Sequence, residues 1–291
     1  MDQSENPRRN AGKNRAMKKL LRNLTFAGWL SFIGIVLVLL VAIFAPFLTA
    51  NDPMETDPMR RLSKEEGFPL GCDQLGQCVY SRLIYGARLS LIIGFSARFS
   101  ALLIGLAVGL AAGYAGGWLD WFLMRVVDMF LAFPSLLLAI AVSMVMGSGI
   151  KTVIFALAIV GWAEMARIIR SSALELRSAE YVVAARTLGA SHLRIVLTHI
   201  LPNCLPLITV IFTMGMATAV LSEASLSFLG LGVDPSLPTW GGMVASAKDY
   251  MLRRPELVAY PGLCIAFLVI VFNIFGDELR DILDPSRKGN W

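Results

Sequence analysis

Residues 26–48 hold no charged side chain, and their centre, Ile33-Gly34-Ile35-Val36-Leu37-Val38-Leu39-Leu40, is continuously apolar. About 20 such residues carry a helix across the hydrocarbon core of a bilayer. Inside that core the backbone has no water to bond, so a spanning segment must satisfy its own N–H and C=O groups as a helix. Five further apolar stretches occur, at about Leu89–Tyr114, Trp121–Met146, Val153–Ile169, Leu205–Leu231 and Val258–Ile274. The Val153–Ile169 stretch is short and contains Glu164 and Arg167. The chain reads as an all-α membrane protein of about six transmembrane helices. Its first run is too long for a cleaved signal peptide, and no small-x-small cleavage site clearly comes after it; Asn51-Asp52-Pro53 ends it.

Composition agrees. Of 291 residues, 56% are hydrophobic and 16% charged, against about 25% charged in a soluble domain. A soluble enzyme of this size lacks a polar shell here. The formal charge is +5, but Lys and Arg gather at the ends of apolar runs and form no basic face with groove-reading residues, so nucleic acid is not an expected partner. With His192 and His199 as the only histidines, and neither HExxH nor paired CxxC, no metal site is expected.

Charge also sorts the loops. Arg8, Arg9, Lys13, Arg15, Lys18, Lys19 and Arg22 face only Asp2 and Glu5 in the first 25 residues, which places that end in the cytoplasm. With six spans the C-terminus is cytoplasmic too. The segment 51–86, with Asp52, Glu55, Asp57, Glu65, Glu66 and Asp73 against Arg60, Arg61, Lys64 and Arg82, falls outside. Arg170, Arg177, Arg186 and Arg194 fall inside. The connection 232–242 is external and too rich in Pro and Gly for a regular helix, with Trp240 suited to the headgroup interface. The expected organisation is a basic cytoplasmic segment 1–25, a first transmembrane helix with external segment 26–86, a core domain 87–276 containing a cytoplasmic loop at about 171–203, and a cytoplasmic tail 277–291.

The cytoplasmic loop reads Glu180-Tyr181-Val182-Val183-Ala184-Ala185-Arg186-Thr187-Leu188-Gly189-Ala190-Ser191, reaching Leu201-Pro202. Glu180 to Leu188 favours a helix with small residues at Ala184 and Ala185, and Gly189 suits its C-terminal cap. Two readings fit: a solvated turn-helix-turn, or a short helix laid on another protein.

The spacing resembles the EAA loop of ABC importer permeases: a Glu-Ala-Ala-like triplet, Gly four residues on, and Leu-Pro about a dozen further. Val183-Ala184-Ala185, Gly189 and Leu201-Pro202 take those places, with Val183 where the family has Glu. Three more stretches are similar to the dipeptide/oligopeptide/nickel branch of that family: Ser81 to Leu91, Glu223-Ala224-Ser225-Leu226-Ser227-Phe228-Leu229-Gly230-Leu231-Gly232 with Trp240-Gly241 after it, and Phe272 to Pro285. The resemblance implies a C-type permease subunit with the type I importer fold. Its coupling helix, through Glu180, Tyr181, Val183, Ala184, Ala185, Arg186 and Gly189, would dock on an ATPase subunit. It further implies a homologous second permease, two ATPase subunits, an extracytoplasmic substrate-binding protein and a place in the bacterial inner membrane. The expected cargo is short peptides, with nickel or a nickel chelate as the alternative; the absence of His from the spans weighs against a bare-metal path. ATP and Mg would belong to the ATPases, so this chain is expected to bind no cofactor and to catalyse nothing. Gly147-Ser148-Gly149-Ile150-Lys151-Thr152 has the wrong spacing for a phosphate-binding loop. An autonomous secondary transporter would favour inverted repeats and interrupted helices, and a membrane enzyme would need convergent catalytic side chains; neither pattern is visible.

Several polar groups remain. In the resembled fold the helix holding Ser222, Glu223, Ser225 and Ser227 lines the translocation path, while serines also serve as helix–helix bonds. Arg125 and Asp128, like Glu164 and Arg167, are spaced to pair along one helix face. Arg98 has no acid one turn away and either snorkels outward or meets another helix. Cys72 and Cys78 replace the family's usual Thr and Asp in the external segment, where an oxidising compartment permits a disulfide; a bridge and two separate thiols both remain open.

Overall fold

The computed structural model describes residues 24–64 and 66–283. The basic segment before Leu24, Glu65, and residues 284–291 of the C-terminal tail lie outside the described residues.

Nine helices of eight or more residues carry the fold among the described residues: α1 (Phe26–Ile43), α2 (Val79–Ala115), α3 (Gly117–Ala132), α4 (Ser135–Met146), α5 (Ile150–Arg177), α6 (Glu180–Thr187), α7 (Leu201–Phe228), α8 (Trp240–Ala247) and α9 (Glu256–Leu283). Among the described residues, five helices are long and apolar enough to cross a membrane, six if α3 and α4 together make one span. The expected unbroken third span is instead these two helices, bent by 88°. The cause is Pro134, which lacks an N–H and pushes Phe133 to extended geometry, φ −83° and ψ 137°.

Between apolar helices in lipid, close backbone approach replaces the hydrophobic effect as the source of association. Helix α2 packs along α5 this way: a Cβ added at Gly105, Gly109 or Gly113 would come within 2.6–2.7 Å of atoms of Met165, Ala166, Ala173 or Arg170. Helix α1 turns its small stripe, Gly28, Ser31, Gly34, Val38 and Ala42, inward and leaves Phe26, Ile33 and Leu40 exposed, as a lipid-facing surface requires. One core joins α1, α2, α7, α8 and α9; a second joins α2, α3, α5, α6 and the start of α7.

Ion pairs join α3 to α5. Arg125 meets Asp128 at 3.5 Å, as its spacing suggested. Arg167 does not pair with Glu164; it reaches across to the same Asp128, and Arg170 grips Asp120 with two N–H donors. The i,i+3 expectation on α5 fails because a carboxylate on the neighbouring helix completes a better contact than one along its own.

At the end of the bundle carrying residues 49–78 and 229–255, buried Arg82 holds three segments together. Its guanidinium donates to the carbonyls of Pro53 (3.1 Å), Pro235 (3.0 Å) and Ser236 (3.3 Å), with Asp73 at 3.7 Å. Trp240 is not at a lipid interface, as its residue type suggested. It is 3% exposed, fits against Gly86, and donates from its indole N–H to Leu83 O at 2.9 Å. Cys72 and Cys78 are buried thiols opposite one another across an antiparallel bridge.

Candidate functional site

The loop between α5 and α7 is built from one short helix and its capping turns. Arg177 closes the end of α5 by donating to Ala115 O at the end of α2. Helix α6 then lies with Val182 fully buried and Ala185 half-buried against the second core. Tyr181, Val183, Ala184 and Arg186 face outward, succeeded by Leu188 at 87% exposure. Glu180 occupies the first turn, where a carboxylate favours the helix dipole. Of the residues expected to dock, the outward face thus holds Glu180, Tyr181, Val183, Ala184 and Arg186, while Ala185 belongs to the protein's own packing. Gly189 ends the helix at φ +80° and donates to Arg186 O at 3.0 Å; a side chain there would be strained by the left-handed backbone.

Side chains from distant sequence fix this helix. The Tyr114 hydroxyl at the end of α2 is 2.8 Å from His192 Nδ1, and Arg186 lies over the Tyr114 ring at 5.7 Å. Tyr181 leans on the His199 ring at 6.2 Å. The sequence named His192 and His199 but not their partners: Tyr114 is 78 residues from His192, and no local spacing reveals such a pair. Beyond Ser191, which caps the next turn, Val196–Ile200 winds as a π-helix and runs directly into α7. A single π turn inside a helix is a common mark of functional strain. Pro202 and Pro206 sit in the first turns of α7.

The polar residues expected along the path divide by face. Ser222 and Ser225 are half-buried, with the Ser225 hydroxyl donating to Leu221 O at 2.9 Å. Glu223 is fully buried and accepts from the Ser227 hydroxyl at 2.9 Å. Ser227 Oγ packs on Gly232, where a Cβ would stand 2.1 Å away, and a Cβ on Gly241 of α8 would stand 2.5 Å from Ala224 Cα. Glu223 and Ser227 are buried, and Ser222 and Ser225 stay nearer the surface. In the loop leading to α8, the Ser236 N–H, donating at 2.8 Å, holds the Asp234 carboxyl below its ordinary range.

Residues 105–289 match the model of the binding-protein-dependent transport system inner membrane component, and residues 14–64 match that of the N-terminal transmembrane domain of oligopeptide transport permease C. A dipeptide transport system permease protein of Alkalihalophilus pseudofirmus is 42% identical over 279 residues, covering 94% of this chain and 90% of that one. A glutathione transport system permease protein of Shigella flexneri is 44% identical over 257 residues, covering 88% of this chain and 85% of that one. The fold is shared with a chain of the inward-facing MetNI methionine ABC transporter, at a TM-score of 0.57 and 21% identity, covering 69% of this chain and 96% of that chain. The chain belongs to the multi-pass inner-membrane permease subunits of binding-protein-dependent ABC importers.

Proposed function

We propose that this chain forms half of the translocation path of a peptide importer and couples it to ATP hydrolysis on partner subunits. The observation that carries the reading is the outward face of α6, with exposed Tyr181, Val183, Ala184 and Leu188, on the connection that this reading puts in the cytosol. Such a face is small enough for close docking in a cleft and needs a protein to cover it. Dipeptide and glutathione permeases among the relatives favour short peptides, and their names give no support to the nickel alternative.

In this reading α6 sits in an ATPase subunit, one beneath each of two permeases. Closure of the ATPases around ATP and Mg draws the coupling helices together, and the motion passes through Gly189 and the π turn into α7. The chain holds no cofactor and performs no bond chemistry of its own. Both termini and α6 are cytoplasmic, and the Arg82 knot with α8 faces outward, where a binding protein delivers cargo. Reconstitution into liposomes with ATPases, second permease and binding protein tests the reading. Peptide uptake should require ATP and all partners, and ATP-independent uptake by the chain alone would overturn it.

A further inference from the structure

Helix α2 carries two arginines within its span, and they turn opposite ways. Arg98 is buried and donates from Nη2 to Ile211 O of α7 at 2.8 Å. Arg88 is exposed and, among the described residues, has neither an ion pair nor a hydrogen bond. It belongs to the stretch Ser81 to Leu91, where Arg82 is spent on three carbonyls and the Ser90 hydroxyl accepts the Trp240 N–H at 3.2 Å. The Arg88 guanidinium keeps its whole fork of donors unspent.

Arg88 lines a groove of about 580 Å³ between α1, α2, α7 and α9. Ile35, Leu39 and Ile43, each one turn from the next, form the α1 wall. The other walls include Phe95 of α2, which meets Phe212 of α7 edge-on at 5.6 Å. Besides Arg88 the polar side chains are Ser96 and Thr213, and the Thr213 hydroxyl is taken by Thr209 O at 2.9 Å. No carboxylate lines the groove among the described residues. Consecutive spans cross a membrane in opposite senses, so Ile43, the last residue of α1, and Arg88, the first groove residue of α2, share one end. Phe95 lies two turns further along α2, about 10 Å at the helical rise. The groove thus reaches through most of one leaflet, which is about 15 Å deep in hydrocarbon.

An unspent cation at the end of an apolar groove complements an amphiphile. Basic pockets between transmembrane helices hold lipid head groups, and a guanidinium offers phosphate oxygens paired N–H donors. A free peptide would leave its amides without partners along these walls. We propose that the groove seats one phospholipid, with an acyl chain laid along α1 and α2 and its phosphate on Arg88. With no carboxylate in the lining to receive an ammonium, a net-negative headgroup such as phosphatidylglycerol fits better than phosphatidylethanolamine. A lipid so held fills the gap between the first span and the core.

The test puts a benzophenone amino acid in place of Ile92, which lines the groove and is 47% exposed. The complete complex is reconstituted in vesicles of phosphatidylglycerol and phosphatidylethanolamine, illuminated, and its adducts identified by mass spectrometry. The phosphatidylglycerol-to-phosphatidylethanolamine ratio in the adduct should exceed that of the bilayer by about fivefold, the effect of one basic side chain on an anionic lipid. Arg88→Gln should return the ratio to that of the bilayer, and Arg88→Lys should keep most of the enrichment. If Arg88→Gln does not assemble, high salt replaces it, since screening must lower the enrichment. An adduct that mirrors the bilayer is passing boundary lipid and overturns the site. So does an adduct with the second permease, which makes the groove a subunit interface, and so does the lack of any adduct. Enrichment that survives Arg88→Gln, or is indifferent to salt, overturns the role of Arg88 and the proposal with it.

Discussion

The Glu278 carboxylate, near the end of the last helix, sits on the first turn of the first helix. It accepts from the Thr25 backbone N–H at 3.3 Å and from the Thr25 hydroxyl, whose oxygen in turn caps Gly28 N–H at 3.2 Å. A Cβ on Gly28 would come within 2.9 Å of the carboxyl. A negative group at a helix N-terminus is favoured by the unpaired N–H donors there. Glu278→Ala should cost about 1 kcal/mol and lower the apparent melting temperature in detergent by about 2–4 °C. An unchanged melting curve would show that α1 is held by its small-residue stripe alone.

The outward face of α6 gives a sharper test of coupling than the triplet as a whole. Ala184→Asp places a charge on the exposed face without disturbing the core, and should abolish co-purification of the ATPases while membrane insertion persists. Ala185→Asp, by contrast, is expected to lower stability, because Ala185 packs inward. Gly189→Val forces a β-branched residue to φ +80°, at about 1–2 kcal/mol of backbone strain, with no side chain within 4 Å to add crowding. Uptake should fall by about tenfold with ATPase binding retained, measured by transport and pull-down on the same preparation.

The spans and the short helix α6 were legible in the sequence because each rests on local pattern: apolar length for α1, α2, α5, α7 and α9, and helix-former composition closed by Gly for α6. Contacts that depend on distant neighbours were not. Trp240 looked interfacial by residue type, yet its indole finds Leu83 O, 157 residues away. Arg167 looked paired with Glu164 by spacing, yet Asp128 on another helix takes it. Glu223 and Ser227 were legible as polar positions on one helix, but their burial and the i,i+4 hydrogen bond between them were not. Pro134 was visible and marks a break, but residue type does not set the 88° angle found there.

Arg82 should resist conservative change. Its three carbonyl acceptors lie on two separate loops, and only a planar fork reaches them together. Arg82→Lys should cost about 3 kcal/mol, as breaking a buried charged contact does, and open residues 49–78 to protease. Limited proteolysis of proteoliposomes from the outer side reads this directly; unchanged cleavage would mean the knot is redundant.

Cys72 and Cys78 are flanked by the hydrogen bonds Asp73 N–H to Gln77 O (3.0 Å) and Val79 N–H to Gly71 O (3.1 Å). They form the non-hydrogen-bonded pair of an antiparallel bridge, where Cα atoms stand about 4.5 Å apart, inside the range a disulfide spans. Oxidised protein should carry the bridge, worth about 2 kcal/mol for so short a loop. Since both side chains are buried, alkylation must be done in denaturant without reductant. Mass spectrometry should then find the two positions in one cross-linked, unalkylated peptide, and alkylation at both would sink the idea.

The glycine seam between α2 and α5 has a mechanical consequence. With Gly105, Gly109 and Gly113 bringing one backbone onto the other, neither helix can slide or roll without driving carbonyls into Cα atoms. The two behave as a single beam. The less tightly joined places lie around it, at the π turn before α7 and the elbow at Pro134. Enlarging any one of the three glycines should therefore splay the beam rather than stiffen it, and would convert a local crowding into a change of shape felt along the whole molecule.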